Sequence, residues 1–354
     1  MSVEFVSADQ VAHAAAFEAP LRLVDTFGRV ARDLRVSLTD RCNLRCSYCM
    51  PPEGLDWLPT EETLTDAEVV RLVRIGVERL GIRQVRFTGG EPLLRRGLEG
   101  IIAECSQLRT DEGQTPDLAL TTNALGLAKR AQGLRDAGLD RVNISLDSLD
   151  REHYAAITRR DRLGDVLEGI EAAARAGLSP IKVNTLVLRG MNEADLPDLV
   201  DYCLDRGIEL RVIEQMPIGP VDTWDRQNIL TADEILHIMG TRHTLAPAQR
   251  EDPHSPAGRW IVDDDPTKRL GVIASVSDPF CNACDRTRLT SDGMVRSCLF
   301  STEETSLRDL LRGGGSDAQI AARWADAMWV KPAAHGLNTD AFARPSRTMS
   351  RIGG

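Results

Sequence analysis

A chain of 354 residues can bury a large core and is long enough for two domains, or for one barrel with an appendage. Its 42% apolar content is that of a soluble globular protein, and no run approaches the ~20 apolar residues that span a bilayer. A formal net charge of −10 argues against a general binder of nucleic acid or membrane surfaces, while leaving room for a local cationic pocket.

Residues 1–20 interrupt their apolar run with Glu4, Asp9, His13 and Glu18, unlike a secretory leader. A cytoplasmic compartment is therefore expected, in which the eight cysteines stay reduced and clustered thiols read as metal ligands. Residues 1–24 read as a mobile N-terminal extension. From there short β-rich runs alternate with segments of helical period. The strands expected are Leu34–Leu38, Gln84–Thr88, Leu118–Thr122, Val142–Leu146, Ile181–Val187 and Glu209–Ile213. The helices expected between them are Asp66–Leu80, Leu93–Leu108, Leu125–Ala137, Leu163–Ala176 and Glu193–Arg206. Gly81, Gly138, Gly177 and Gly207 each stand at a helix stop. Six βα units over 25–215 imply an α/β fold with a parallel sheet beneath helices, an open partial barrel of the (β/α)6 type. Past residue 215 the alternation breaks. Loops are expected at Asp252–Gly258 and Asp263–Pro266, β-like runs at Leu270–Ser275 and Arg286–Thr290, and helices at Leu307–Leu311 and Ala318–Met328. Residues 216–354 are thus a C-terminal extension ending in a Gly/Ser/Arg tail.

Cys42, Cys46 and Cys49, spaced C-x3-C-x2-C, fall just after the first expected strand. Three thiolates so close can ligate three irons of one [4Fe–4S] cube and leave the fourth iron open to a ligand. A Cys3His zinc knuckle is the structural alternative. Ligands of parallel sheets sit beyond the carboxyl ends of the strands, which puts the cluster at the active site. Gly89-Gly90-Glu91-Pro92 follows the second strand directly and lets backbone approach a ligand closely. Cys281, Cys284 and Cys298 form a second triplet, C-x2-C-x13-C, fit for another cube with an open iron or, with His254, for zinc. Cys105 and Cys203 sit in expected helices and read as buried apolar thiols.

Arg35, Arg86, Lys182 and Arg211 each lie between apolar neighbours within a strand. Side chains alternate across a strand, so with the apolar neighbours under the helices these cations point into the barrel. Unpaired charge there is costly, and four inward cations make sense around a polyanion such as a nucleotide triphosphate. Arg286-Thr287-Arg288 adds donors beside the second cysteine pair. No Walker-type G-x4-G-K-[ST] is present, which excludes a conventional phosphate loop.

With both triplets placed, the chain resembles the GTP 3′,8-cyclases, the molybdenum cofactor biosynthesis protein A family of the radical S-adenosylmethionine (SAM) superfamily. The resemblance runs from Asp25-Thr-Phe-Gly-Arg29 to Ser350-Arg-Ile-Gly-Gly354. It implies two [4Fe–4S] clusters, the first chelating SAM and the second holding guanine. It places SAM contacts on Tyr48, Gly90, Ser145 and Met216, and GTP contacts on Arg35, Arg86, Thr121, Lys182, Arg286, Thr287 and Arg288. Arg211 is a further candidate, as is the Gly353-Gly354 tail reaching towards the active site. The activity implied is that of a lyase. SAM is cleaved to methionine and a 5′-deoxyadenosyl radical, which takes hydrogen from C3′ of GTP. The sugar radical attacks C8 of guanine and, after reduction and protonation, gives (8S)-3′,8-cyclo-7,8-dihydroguanosine 5′-triphosphate. The partners implied are a low-potential electron donor of flavodoxin or ferredoxin type and the next enzyme, cyclic pyranopterin monophosphate synthase, with the chain a monomer or homodimer. Two rivals stand beside this reading: a radical SAM peptide-modifying enzyme with an auxiliary cluster, and a non-catalytic iron–sulfur or zinc protein.

Overall fold

The computed structural model describes residues 21–220, 224–339 and 342–353. The expected extension at 1–24 lies mostly outside them. Six strands form where alternation places them: β1 (Asp33–Ser37), β2 (Gln84–Thr88), β3 (Asp117–Thr122), β4 (Arg141–Ser145), β5 (Ile181–Leu186) and β6 (Glu209–Ile213). They lie side by side in chain order, all parallel. Val36, Phe87, Leu120, Ile144, Val183 and Val212 are fully buried on the face the helices cover, where each βα crossover returns the chain.

Those helices are α1 (Asp66–Arg74), α2 (Leu98–Cys105), α3 (Leu127–Asp136), α4 (Arg151–Thr158), α5 (Leu163–Arg175) and α6 (Leu196–Leu204). A reciprocal cap starts α1: the Glu68 N–H donates to Thr65 Oγ1 at 3.2 Å, and the Thr65 N–H to Glu68 Oε2 at 2.7 Å. Its expected last turn loosens into a π-helical segment, Ile75–Arg79, before Gly81 turns left-handed at φ 74°. Helix α4 was not expected from periodicity; its start is fixed by Asp150, whose carboxylate accepts from the Glu152 and His153 N–H groups.

The sheet does not stop at six strands. The region past 215 contributes α7 (Ala232–Met239), β7 (Leu245–Ala248), β8 (Gly258–Val262), β9 (Asp265–Ile273), β10 (Arg286–Leu289), β11 (Met294–Arg296), β12 (Thr305–Ser306), α8 (Arg308–Arg312), α9 (Asp317–Trp329) and α10 (Met349–Ile352). Strand β9 runs parallel to β6 on one edge and β10 parallel to β1 on the other. The described sheet has twelve strands in the order β12-β11-β10-β1-β2-β3-β4-β5-β6-β9-β8-β7. The segment expected as a loop at Asp263–Pro266 is instead a tight turn entering β9, with Asp263 and Asp264 both left-handed at φ 54° and 57°. Glu214, at the end of β6, fastens the extension to the barrel. Its buried carboxylate accepts from the Ala232 and Val276 N–H groups, each at 2.7 Å, and from the Ser277 N–H at 2.9 Å. No helix among the described residues is long and apolar enough to cross a membrane.

Candidate active site

The inner face of the sheet encloses a cavity of about 700 Å³ that both cysteine triplets line. Because β1 and β10 are parallel and in register from Asp33↔Arg286 to Val36↔Leu289, the two triplets fall at opposite ends of one strand pair. Cys42, Cys46 and Cys49 follow β1, while Cys281 and Cys284 precede β10. A five-residue strand spans about 16 Å, so a molecule between the triplets meets the side chains of the strands themselves.

The first loop is carried by α4. The Arg45 and Ser47 N–H groups donate to the Thr158 and Ile157 carbonyls at 3.1 and 2.9 Å, and Arg159 Nη1 donates back to the Arg45 and Met50 carbonyls at 2.8 and 3.0 Å. All three cysteines are free of disulfides. Burial pushes the Cys42 thiol up to about 11 and Cys49 up to about 12, with Cys46 also raised well above its ordinary value. Unmetallated they are thiols at neutral pH; iron would hold them as thiolates. Among the described residues no three His, Cys, Asp or Glu side chains converge on a point that a single metal ion would fill. A cube, by contrast, distributes its three cysteines over three irons.

The Gly-Gly-Glu-Pro turn packs against the backbone just before that loop. A Cβ on Gly89 would lie 2.4 Å from the Thr39 carbonyl oxygen, and one on Gly90 2.3 Å from that of Arg41. The Gly90 and Glu91 amides are spent on those same carbonyls at 2.7 and 2.8 Å. An ammonium reaching this turn would therefore meet carbonyl oxygens, the acceptors it needs. Glu91 is fully buried; its carboxylate accepts from the Leu93 N–H, the Thr122 hydroxyl and the Asn123 N–H at 2.9, 2.7 and 2.8 Å. Burial raises it to about 7 despite these donors. Asn123 in turn points its amide at Cys42 Sγ, 3.9 Å away. Tyr48 donates its hydroxyl to Asp147 at 2.9 Å, and burial lifts Asp147 to about 6. Ser145, Met216, Thr121 and Gly90 line the same cavity.

Arg35, Arg86, Lys182, Arg211, Arg286 and Arg288 all face into it. Arg86, Arg211, Arg286 and Arg288 are each less than a tenth exposed. Two acids lie among them. Asp33 stands 3.9 Å from Arg35 and 3.8 Å from Arg286, and against the push of burial these cations and Arg86 hold its carboxyl below the ordinary value. Glu209 binds Arg211 at 2.6 Å and Lys182 at 3.4 Å. Burial lowers Lys182 to about 8 even so. Among the described residues Arg35 Nε, Arg86 Nε and Nη1, and Arg286 Nε have no hydrogen-bond partner. Buried donors left open in this way are unfavourable unless a ligand takes them, and an oxyanion supplies the acceptors. Thr287 is the correction to the expected set. It sits between two inward arginines, so alternation sends its side chain to the other face, where its hydroxyl accepts from Trp324 Nε1 at 3.0 Å.

In the second triplet, Cys298 follows β11 and also reaches the cavity. His254, the alternative zinc ligand, places Nδ1 2.8 Å from the Ala283 carbonyl. Burial works against Cys284, yet Lys331 and Arg286 bring it below its ordinary value. The C-terminal segment enters from the opposite end: Arg288 Nη1 donates to the Gly353 carbonyl at 2.5 Å, and Gly353 is packed over Ser37 and Thr88. Gly354 lies outside the described residues.

The radical SAM superfamily matches residues 36–203, and the Molybdenum Cofactor Synthesis C family matches 208–337. A GTP 3′,8-cyclase of Corynebacterium glutamicum is 59% identical over 94% of this chain and 89% of its own length. A GTP 3′,8-cyclase of Mycobacterium marinum is 56% identical over 94% of this chain and 92% of its own. The chain belongs to the GTP 3′,8-cyclase family. In fold it is similar to Streptococcus suis SuiB bound to S-adenosylmethionine, with TM-score 0.56 at 14% identity over 82% of this chain and 68% of that one. As a GTP 3′,8-cyclase family member it uses SAM and two [4Fe–4S] clusters, and the donor set fits them: six free cysteines in two triplets on one cavity.

Some residues around this cyclase-family site escaped the sequence reading. Arg159 braces the first cysteine loop, Asp147 takes the Tyr48 hydroxyl, and Asp33 and Glu209 sit among the cations. Arg29 and Lys331 hold the second cysteine pair. Asp147 was within reach, ending the run Asn143-Ile-Ser-Leu-Asp147 at the mouth of β4. So were Asp33 and Glu209, each two residues before an inward arginine on its own strand. Arg159, Arg29 and Lys331 act across long stretches of chain and leave no local pattern.

Proposed function

We propose that this chain converts GTP to (8S)-3′,8-cyclo-7,8-dihydroguanosine 5′-triphosphate as a radical SAM lyase, the opening step of molybdenum cofactor biosynthesis. The observation that carries the reading is the set of orphaned guanidinium donors on Arg35, Arg86 and Arg286, held in one cavity between two cysteine triplets. In this reading Cys42, Cys46 and Cys49 hold the cluster that binds SAM, and Cys281, Cys284 and Cys298 the cluster that binds guanine. Gly90 offers carbonyl oxygen to the SAM ammonium, with Tyr48, Ser145 and Met216 around the rest of the cofactor. Arg35, Arg86, Lys182, Arg286 and Arg288, with Thr121 and Arg211, receive the nucleotide. The bound cofactors supply one-electron cleavage of SAM and radical abstraction of hydrogen from C3′. The protein's share is to hold C3′ and C8 in reacting geometry, neutralise the triphosphate and keep water out of the barrel. Residues 25–215 would carry the SAM-binding cluster and 216–354 the guanine-binding one. A low-potential flavodoxin or ferredoxin would supply the electron that cleaves SAM and the second that, with a proton, reduces the cyclised radical, and cyclic pyranopterin monophosphate synthase would take the product, all in the cytoplasm.

The test is anaerobic incubation of the reconstituted protein with dithionite, SAM and GTP, with products identified by mass. A cyclised nucleotide isomeric with GTP, formed together with 5′-deoxyadenosine, is the expected result. Cleavage of SAM with GTP left untouched would overturn the reading.

A further inference from the structure

Lys331 is 4% exposed, and among the described residues no carboxylate pairs with it. Its ammonium has three protons and three acceptors: the Cys284 carbonyl at 2.9 Å, the Arg286 carbonyl at 2.9 Å and Cys284 Sγ at 3.3 Å. The two carbonyls fix the nitrogen between the residues flanking Asp285, which leaves the third proton aimed at sulfur. A buried cation without an anion is strongly unfavourable, and the anion on offer here is the Cys284 thiolate.

The segment from Lys331 to His335 lies across the whole Cys281–Cys284 pair. The backbone amides of His335 and Arg286 lie near the Cys281 and Cys284 sulfurs and favour their thiolate forms. From the far side Arg29 locks this arrangement. Its guanidinium donates to the Cys281 carbonyl at 2.7 Å, the Pro332 carbonyl at 2.6 Å and the Ala333 carbonyl at 2.9 Å, while Asp25 holds its Nε at 2.5 Å. The first triplet is built differently: its supports are backbone contacts to α4, the Arg159 bonds to carbonyls and the neutral Asn123 amide near Cys42. The second cysteine pair is distinguished by a full positive charge on one of its sulfurs.

Hydrogen bonds to ligating sulfur and nearby positive charge both favour the more reduced, more negative state of an iron–sulfur cluster. We propose that Lys331 is a positioning residue for the second cluster: its ammonium donates to the Cys284 sulfur and raises the potential at which that cluster accepts one electron. The inference rests on the proposed role of Cys281, Cys284 and Cys298 as that cluster's ligands.

The test is a mediated redox titration of the anaerobically reconstituted holoprotein, followed by electron paramagnetic resonance. The first cluster is identified by its response to added SAM. In Lys331→Met the second cluster's midpoint should move to more negative potential, with the first cluster's midpoint unmoved. Lys331→Arg, which keeps the charge, should stay close to the parent. Full iron content with an unshifted second midpoint in Lys331→Met overturns the proposal. If the neutral variants Lys331→Met and Lys331→Gln lose the second cluster, its retention in Lys331→Arg supports a charge acting on the thiolate. Loss in all three makes the lysine a packing element and overturns it. Parent protein with only one cluster would overturn both this inference and the assignment of the second triplet.

Discussion

Arg86 shows what a site looks like when its buried donors are left open to a ligand. It sits at the middle of β2, 8% exposed, with no partner for Nε or Nη1 among the described residues and burial lowering its pKa. Arg35 is next to it on β1, in register, and Lys182 looks in from β5. If these cations face a triphosphate, Arg35→Ala, Arg86→Ala and Lys182→Ala should each weaken GTP binding by ~1.5–3 kcal/mol per lost charge-assisted contact. Affinity for SAM should move far less. Calorimetric titration of GTP into the three variants checks it, and unchanged binding in all three would remove the phosphate reading. Lys182 adds a pH signature. Burial has lowered it to about 8, so the free protein loses this charge as pH rises through that value. A bound triphosphate favours the charged form, so the complex keeps the proton to higher pH than the free protein. GTP affinity should therefore fall above about pH 8, and Lys182→Arg, which does not titrate in that range, should flatten the fall. Affinity measured at several pH values for parent and variant decides it.

At the scale of elements, the loop after β1 and the turn after β2 form one unit. Gly89 and Gly90 have no room for a side chain because the Thr39–Arg41 backbone occupies that space. Gly90→Ala forces a Cβ to within 2.3 Å of the Arg41 carbonyl, so the turn and the cysteine loop must part. The expected result is retained fold with SAM binding reduced at least tenfold, read by equilibrium dialysis; normal SAM affinity would mean the turn is only structural. The turn, the cysteine loop and all six barrel strands were legible in the sequence, because each rests on neighbours a few residues apart. Helix α4 was not legible, since its eight residues include only Tyr154, Ile157 and Thr158 as buried contacts. Helix α7 was missed although Thr231-Ala-Asp-Glu234 spells its capping box. The cation positions followed from alternation, and the same rule, applied one residue further, would have turned Thr287 away from the cavity.

At the scale of the molecule, the extension completes the barrel's own sheet at both edges, with β9 on β6 and β10 on β1. The β1–β10 pairing joins residues 253 positions apart, Asp33 with Arg286 among them, and has no local signature, so the β-like runs at Leu270–Ser275 and Arg286–Thr290 were legible but their places in the barrel's sheet were not. These pairings place the second triplet at the far end of β1 from the first, and they set the inward arginines of β10 beside Arg35 of β1. The chain's end is drawn into the same space. Gly353, left-handed at φ 86°, lies over Ser37 and Thr88 at the carboxyl ends of β1 and β2, and its carbonyl accepts from Arg288 on β10. One arginine thus faces the nucleotide cavity and holds the C-terminal segment, so the segment's position and that of the substrate are coupled through it. Deleting Gly353 and Gly354 removes this acceptor and opens the space over β1 and β2 without touching a cysteine. Iron content should remain that of the parent and GTP affinity should change less than threefold, because Arg35, Arg86 and Lys182 stay in place. Product formation should drop at least tenfold, with SAM cleavage either slowed or uncoupled from cyclisation. Iron analysis, calorimetry and product mass on the same preparation separate these effects, and a truncated chain that cyclises GTP at the parent rate would show that the tail is only packed against the site.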